Sequence, residues 1–162
     1  MFFEVAIEVS SKWNDIIEYI GLKDEHLELL YSQKAYFEKY SNEVVVDFYS
    51  RLLKNESLSN IVLQNSTFDR LTKTQKMYFN NLFTRNIDSL YIMYIQKIGS
   101  THHRIGLNPE WFLAGVNVYL DEVYKLCNEK ENGIEIFHAF SKRILFDTKV
   151  CLEQYDRIRV GN

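Results

Sequence analysis

Apolar residues recur every three or four positions along almost the whole chain, the period of a helix with one buried face. Trp13, Ile16, Ile17 and Ile20 form a first short stripe, which Ser10 or Ser11 can cap and Gly21 can end. Leu27, Leu30 and Tyr31 mark a second helix from near Lys23. A third is predicted over about 33–53 through Phe37, Val44, Val45, Phe48, Tyr49 and Leu52. Residues 55–65 read as a short helix between loops, and Thr67 is placed to cap the next. That helix carries Phe68, Leu71, Gln75, Tyr78, Leu82 and Phe83 on one side. Asn86-Ile87-Asp88 opens another, whose stripe is Tyr91, Tyr94, Ile98, His102 and Ile105. In Gly106-Leu107-Asn108-Pro109-Glu110, Gly106 ends one helix, Asn108 caps the next and Pro109 takes its first position. The helix from Pro109 to about Glu129 carries Trp111, Phe112, Gly115, Val118, Tyr119 and Leu126, and a polar turn follows. The last helix, about 134–160, has Phe137, Ser141, Ile144, Thr148, Cys151, Tyr155 and Ile158 at coiled-coil-like spacing.

The exception is Phe3/Val5/Ile7/Val9, whose alternation is strand-like. With no second strand to pair with, residues 1–9 read as a tail that docks on the body or a partner. Residues 10–162 then form one all-α domain of seven or eight helices. Its last two helices make an αα-hairpin with enough apolar surface to pair with a second copy.

Composition narrows this picture. Only 6 Gly and 1 Pro among 162 residues argue against a turn-rich β fold, and 46% hydrophobic content at a net charge of −3 argues against disorder. Nineteen basic against 22 acidic residues leave no electrostatic footprint for nucleic acid or an anionic membrane. Two cysteines, Cys127 and Cys151, make no disulfide framework and read as small buried hydrophobes. No apolar run approaches the length of a membrane span. The N-terminus lacks a basic start and carries Glu4 and Glu8, so it makes a poor signal peptide, and the cytoplasm is the expected compartment. Aromatic residues, 15% of the chain, suit long helices packed around something large and flat.

Several chemistries have no motif here. There is no G-x-x-x-x-G-K-[ST], G-x-G-x-x-G, H-E-x-x-H or C-x-x-C, and no nucleophile can be named. Four histidines remain. His26 and His138 sit among charged or mixed neighbours, and His103 points about 100° away from His102. His102 lies on the apolar stripe of its helix. Two readings fit it: a core histidine bonded to a carbonyl, or a metal or haem ligand.

The segment Ile98-Gly99-Ser100-Thr101-His102-His103-Arg104-Ile105-Gly106-Leu107, with Trp111 soon after, resembles the proximal haem region of globin-coupled sensors and protoglobins. That family shows an I-G-x-x-H-x-R-I-G-L pattern followed by Trp, and every fixed position is present. Tyr19-Ile20-Gly21-Leu22 resembles the lead-in to the family's first globin helix. Asp47-Phe48-Tyr49-Ser50-Arg51-Leu52-Leu53 resembles its B helix, and Arg70-Leu71-Thr72-Lys73-Thr74-Gln75 its E helix. The resemblance covers Trp13 to Val160.

It implies a globin fold, a three-over-three helical sandwich with an extra N-terminal helix, holding haem b (iron protoporphyrin IX) between the E and F helices. His102 would be the proximal iron ligand. Tyr49 would be the distal donor, whose hydrogen bond of about 1.5–3 kcal/mol favours O2 over neutral CO. Thr74 would be a second distal donor and Leu71 an apolar neighbour restricting ligand escape or water. Phe48, Ile98, Ile105 and Trp111 would complete the cofactor pocket. Phe112 stands where many members carry Tyr, so a proximal hydroxyl is missing. No histidine lies near Leu71 or Thr74, so a second axial histidine is not expected. Tyr78 could offer a distal or propionate contact, and Arg104, His103 and Lys76 are candidate propionate partners.

Three functions follow. The first is a gas sensor: O2 (or CO or NO) binds a pentacoordinate haem iron, and the change passes through a homodimeric four-helix bundle of the last two helices. Its target would be an output domain of a longer transducer (chemoreceptor, cyclase or kinase), or a separate partner. The second is a haem enzyme, an NO dioxygenase or peroxidase-like globin, although no flavin or NAD segment is present to supply electrons. The third is a haem-free helical interaction domain, against which His102 argues.

Overall fold

The computed structural model describes residues 9–160, with side chains through Asp156. Apart from Val9, the alternating segment at the N-terminus lies outside the described residues. Among the described residues nine helices follow one another: α1 (Ser11–Ile20), α2 (Asp24–Ser32), α3 (Lys34–Lys39), α4 (Ser41–Leu53), α5 (Glu56–Asn65), α6 (Phe68–Asn81), α7 (Ser89–Arg104), α8 (Pro109–Cys127) and α9 (Gly133–Val160).

The caps explain most of the boundaries. Gly21 ends α1 in the left-handed conformation at φ 70°, which a side chain would strain. Asn55, Thr67 and Asp88 each accept a backbone N–H in the first turn of α5, α6 and α7. Pro109 opens α8, as the sequence predicts. The predicted single helix over 33–53 is two. Tyr40 adopts φ −102°, ψ 5°, and the Ser41 hydroxyl donates to the Glu38 carbonyl at 2.9 Å, turning the chain between α3 and α4. A polar side chain competing for backbone groups leaves no gap in an apolar stripe, so periodicity alone runs through such a break.

Helix α9 is the spine, packing on α7, α8, α2 and α1. Its stripe of Ile144, Thr148, Cys151 and Tyr155 is buried within the chain itself. On one side Leu30, Phe37, Phe79, Phe83, Tyr119 and Phe140 belong to a large aromatic core. On the other, Trp13 meets Phe146 edge to face at 5.9 Å and anchors α1. Helices α7 and α9 touch backbone to backbone: a Cβ on Gly99 would lie 2.6 Å from the Cys151 carbonyl oxygen. Helix α6 packs instead on α4 and α3, and shares at most marginal contact with α7. The sequence-predicted residues are spread over α4, α6, the end of α7 and the start of α8.

Candidate functional site

His102 sits in the last turn of α7, half-buried. Its Nδ1 lies 2.7 Å from the Ile98 carbonyl oxygen. A carbonyl can only accept, so Nδ1 carries the proton and Nε2 keeps its lone pair. Burial holds the imidazole pKa below its usual value against the opposing pull of that bond, so the ring is neutral at pH 7. Phe112, from the first turns of α8, packs edge-on against the ring at 5.2 Å. Locked orientation, fixed tautomer and a free Nε2 are what an imidazole ligand needs.

Tyr49 is buried in α4, with Phe48 edge-on at 5.5 Å and Phe68 of α6 at 5.6 Å. Burial pushes its phenol pKa up, and a side-chain hydrogen bond with Gln75 of α6 pulls the other way. The phenol stays protonated and able to donate. Tyr119 of α8 is also buried and donates to Gln75 Oε1. Phe48 stacks on Tyr119 at 4.7 Å, over the space Gly115 leaves by lacking a side chain.

The remaining predicted residues divide. Ile98 and Ile105 are half-buried beside His102, the first supplying its carbonyl and the second capping α7. Leu71 is half-buried on α6. Thr74 is exposed, and its hydroxyl donates back to the Arg70 and Leu71 carbonyls at 2.9 and 3.1 Å. Trp111 is exposed, at 41%. Of the propionate candidates, Arg104 is exposed, His103 packs on Tyr155 at 5.1 Å, and Lys76 lines an open groove between α4 and α6.

Tyr78 is committed elsewhere. It and Tyr91 of α7 donate to the same oxygen, Asp147 Oδ2, at 3.0 and 2.6 Å. Asp147 is wholly buried in α9; burial pushes its pKa up to about 6, while Arg143 and the two phenols resist. The Arg143 guanidinium donates to Thr84 and lies 4.5 Å over the Tyr91 ring. Helices α6 and α7 are thus tied to α9 through one carboxylate, near the end where they connect.

Sequence reasoning placed Gln75 on its stripe and gave it no role. It was the one amide in that row of apolar and aromatic side chains, and that oddity was the available signal. Asp147 had no comparable signal.

The helical sandwich, with a neutral imidazole near the end of α7 and a buried phenol on α4, has the make-up of a globin. The protoglobin family model matches residues 9–158, and the chain belongs to that family. Over 153 residues it is 26% identical to the haem-based aerotactic transducer HemAT of Halobacterium salinarum, covering 86% of this chain and 31% of that protein. The chain thus spans about a third of that relative's length. The globin domain of a Geobacter sulfurreducens globin-coupled sensor superposes with a TM-score of 0.81 at 24% identity, over 88% of this chain and 96% of that one. The ferric globin domain of E. coli DosC gives 0.68 at 15% identity, over 82% and 99%. At such identities the structural likeness speaks for the fold. The family implies haem binding, and the residues present fit it: a neutral imidazole with a proton-free Nε2, a buried phenol, and aromatic rings at hand for a flat ring system.

Proposed function

We propose that this chain is a haem-binding O2-sensor domain, residues 10–162 acting as one unit. The observation that supports it most is the His102 ring: neutral, oriented by Ile98, with Nε2 free. Haem b supplies the iron at which a diatomic gas binds. His102 would hold that iron from the proximal side, and Phe112 would fix the plane of the imidazole. Tyr49 would donate to the gas ligand, favouring O2, which draws negative charge, over CO. Tyr49 and Gln75 bring a phenol and an amide rather than a second imidazole, which supports a pentacoordinate resting iron. Phe48, Leu71, Ile98, Ile105 and Trp111 would line or rim the cofactor. Thr74 would serve as a distal donor only by exchanging its backbone carbonyls for the ligand.

The signal would leave through α8 and α9, paired with a second copy, to an output domain or partner. Exposed apolar side chains on this hairpin support such pairing: Ile134 is 85% and Tyr124 58% exposed. No helix among the described residues is long and apolar enough to cross a membrane, and we place the protein in the cytoplasm.

Absorption spectra of the ferric, ferrous, O2 and CO states test this reading. His102→Ala should lose haem or its native coordination. Tyr49→Phe should speed O2 dissociation at least tenfold, about 1.4 kcal/mol, with CO binding little changed. Wild-type spectra in both variants would sink the site assignment.

A further inference from the structure

We infer that Tyr155 of α9 is a positioning residue for His102: it holds the turn that follows α7 and backs the ring that fixes the imidazole, and so carries a shift of His102 into α9. This rests on the haem reading above and adds a residue that reading does not use.

Tyr155 is buried, and its side chain meets the chain at three places around His102. Its hydroxyl donates to the Leu107 carbonyl at 2.8 Å, in the turn between α7 and α8. Its ring packs edge-on to His103 at 5.1 Å and tilted against Phe112 at 6.3 Å. Two of these contacts lead on to His102 by separate routes. Gly106, at φ 89°, makes the left-handed step that brings Leu107 back over α7. The Leu107 N–H then donates to the His102 carbonyl at 3.1 Å, so the residue that accepts from Tyr155 also closes the last turn of α7. Phe112, for its part, stands edge-on to the imidazole at 5.2 Å. One route fixes the main chain of His102 and the other the plane of its ring. Phe112 carries no hydroxyl, so its route is packing alone, and the polar anchor is the hydroxyl of Tyr155.

Helix α9 grips this segment at a second point. Cys151 lies four residues before Tyr155, about one turn away and on the same face. Its main chain meets Gly99 where no side chain fits between them. One turn of α9 therefore holds the chain three residues before His102 and five after it. A displacement of His102 must stretch the bond from Tyr155 to Leu107 or take α9 with it. Tyr155 is buried, so water does not replace that bond as it stretches.

Tyr155→Phe tests this by keeping the ring and removing the bond. Tyr36→Phe is the control: Tyr36 also donates to a backbone carbonyl, that of Leu126 at 3.2 Å, about 21 Å along α8 from Phe112. In haem-free protein, the ring NMR signals of His102 should shift in Tyr155→Phe and stay in place in Tyr36→Phe. In haem-loaded ferrous protein, the iron–histidine stretch should move or split in Tyr155→Phe alone. 3-Fluorotyrosine at position 155 reads the link without removing the bond. Its fluorine signal should shift on His102→Ala in haem-free protein, while the same label at position 36 stays in place; this decides the matter if Tyr155→Phe does not fold. Unmoved His102 signals in Tyr155→Phe, or equal shifts in the control, overturn the inference alone. A wild-type protein that takes up no haem overturns both this and the sensor reading.

Discussion

At the scale of single residues, His102 and Tyr49 differ in how their neighbours prepare them. His102 needs a backbone carbonyl four residues back, which every helix supplies, so the stripe it sits on marks it out while leaving a core histidine and an iron ligand both open. Tyr49 depends on partners from α6 and α8, far apart in sequence, and nothing in its local spacing reveals them. Gln75 shows why. On its own helix it is a polar interruption; only the packing of α6 beside α8 gives its amide oxygen the Tyr119 hydroxyl as a donor. Thr74 is the opposite case. Its hydroxyl is satisfied by Arg70 and Leu71, so Thr74→Val should leave O2 dissociation within about twofold of wild type, a back-bonded threonine contributing little net. Stopped-flow kinetics checks this beside Tyr49→Phe. A tenfold effect from Thr74→Val would show that its hydroxyl exchanges partners when a ligand arrives.

At the scale of helices, periodicity delivered nearly every element, and the caps delivered their starts. What it missed was the Tyr40 break and the close crossing of α7 and α9. Such crossings depend on what is absent from a side chain. Gly99→Ala would drive a Cβ to 2.6 Å from the Cys151 carbonyl and should destabilise the fold by roughly 3 kcal/mol, measured by urea unfolding. The carboxylate joining α6, α7 and α9 makes a second prediction, for pH. Asp147 has a folded pKa of about 6, against 3.8 for the free group. The folded state therefore binds its proton more tightly than the unfolded chain does. This stabilising contribution is full below pH 3.8 and is lost as pH rises through about 6, for a total on the order of 3 kcal/mol. Asp147→Asn removes that dependence. The stability of wild type relative to the variant should fall between pH 4 and 7; a constant difference would mean Asp147 titrates normally.

At the scale of the whole molecule, α8 and α9 present apolar side chains on two faces. Ile144, Thr148, Cys151 and Tyr155 of α9 are spent inside the chain. Leu113, Tyr124, Ile134 and Leu145 are exposed on the same hairpin. Leu113 and Tyr124 are eleven residues apart on α8, as are Ile134 and Leu145 on α9, so each pair lies on one side of its helix. If the sensor pairs through this hairpin, Tyr124→Glu with Leu145→Glu should convert dimer to monomer in sedimentation velocity and leave the haem spectrum unchanged. A wild-type monomer at the same concentration would remove the dimer from the model of signalling.

The Gly99 contact also sets the tempo of any message that starts at His102. Where two helices meet through side chains, a small displacement can be absorbed by rotamer hops within picoseconds to nanoseconds and go no further. Here main chain rests on main chain three residues before His102, and nothing lies between to rotate. A pull on the imidazole can be answered only by α7 and α9 shifting together. That is collective motion of the microsecond-to-millisecond kind, so the conformational response should trail the arrival of gas by a delay that kinetics can resolve.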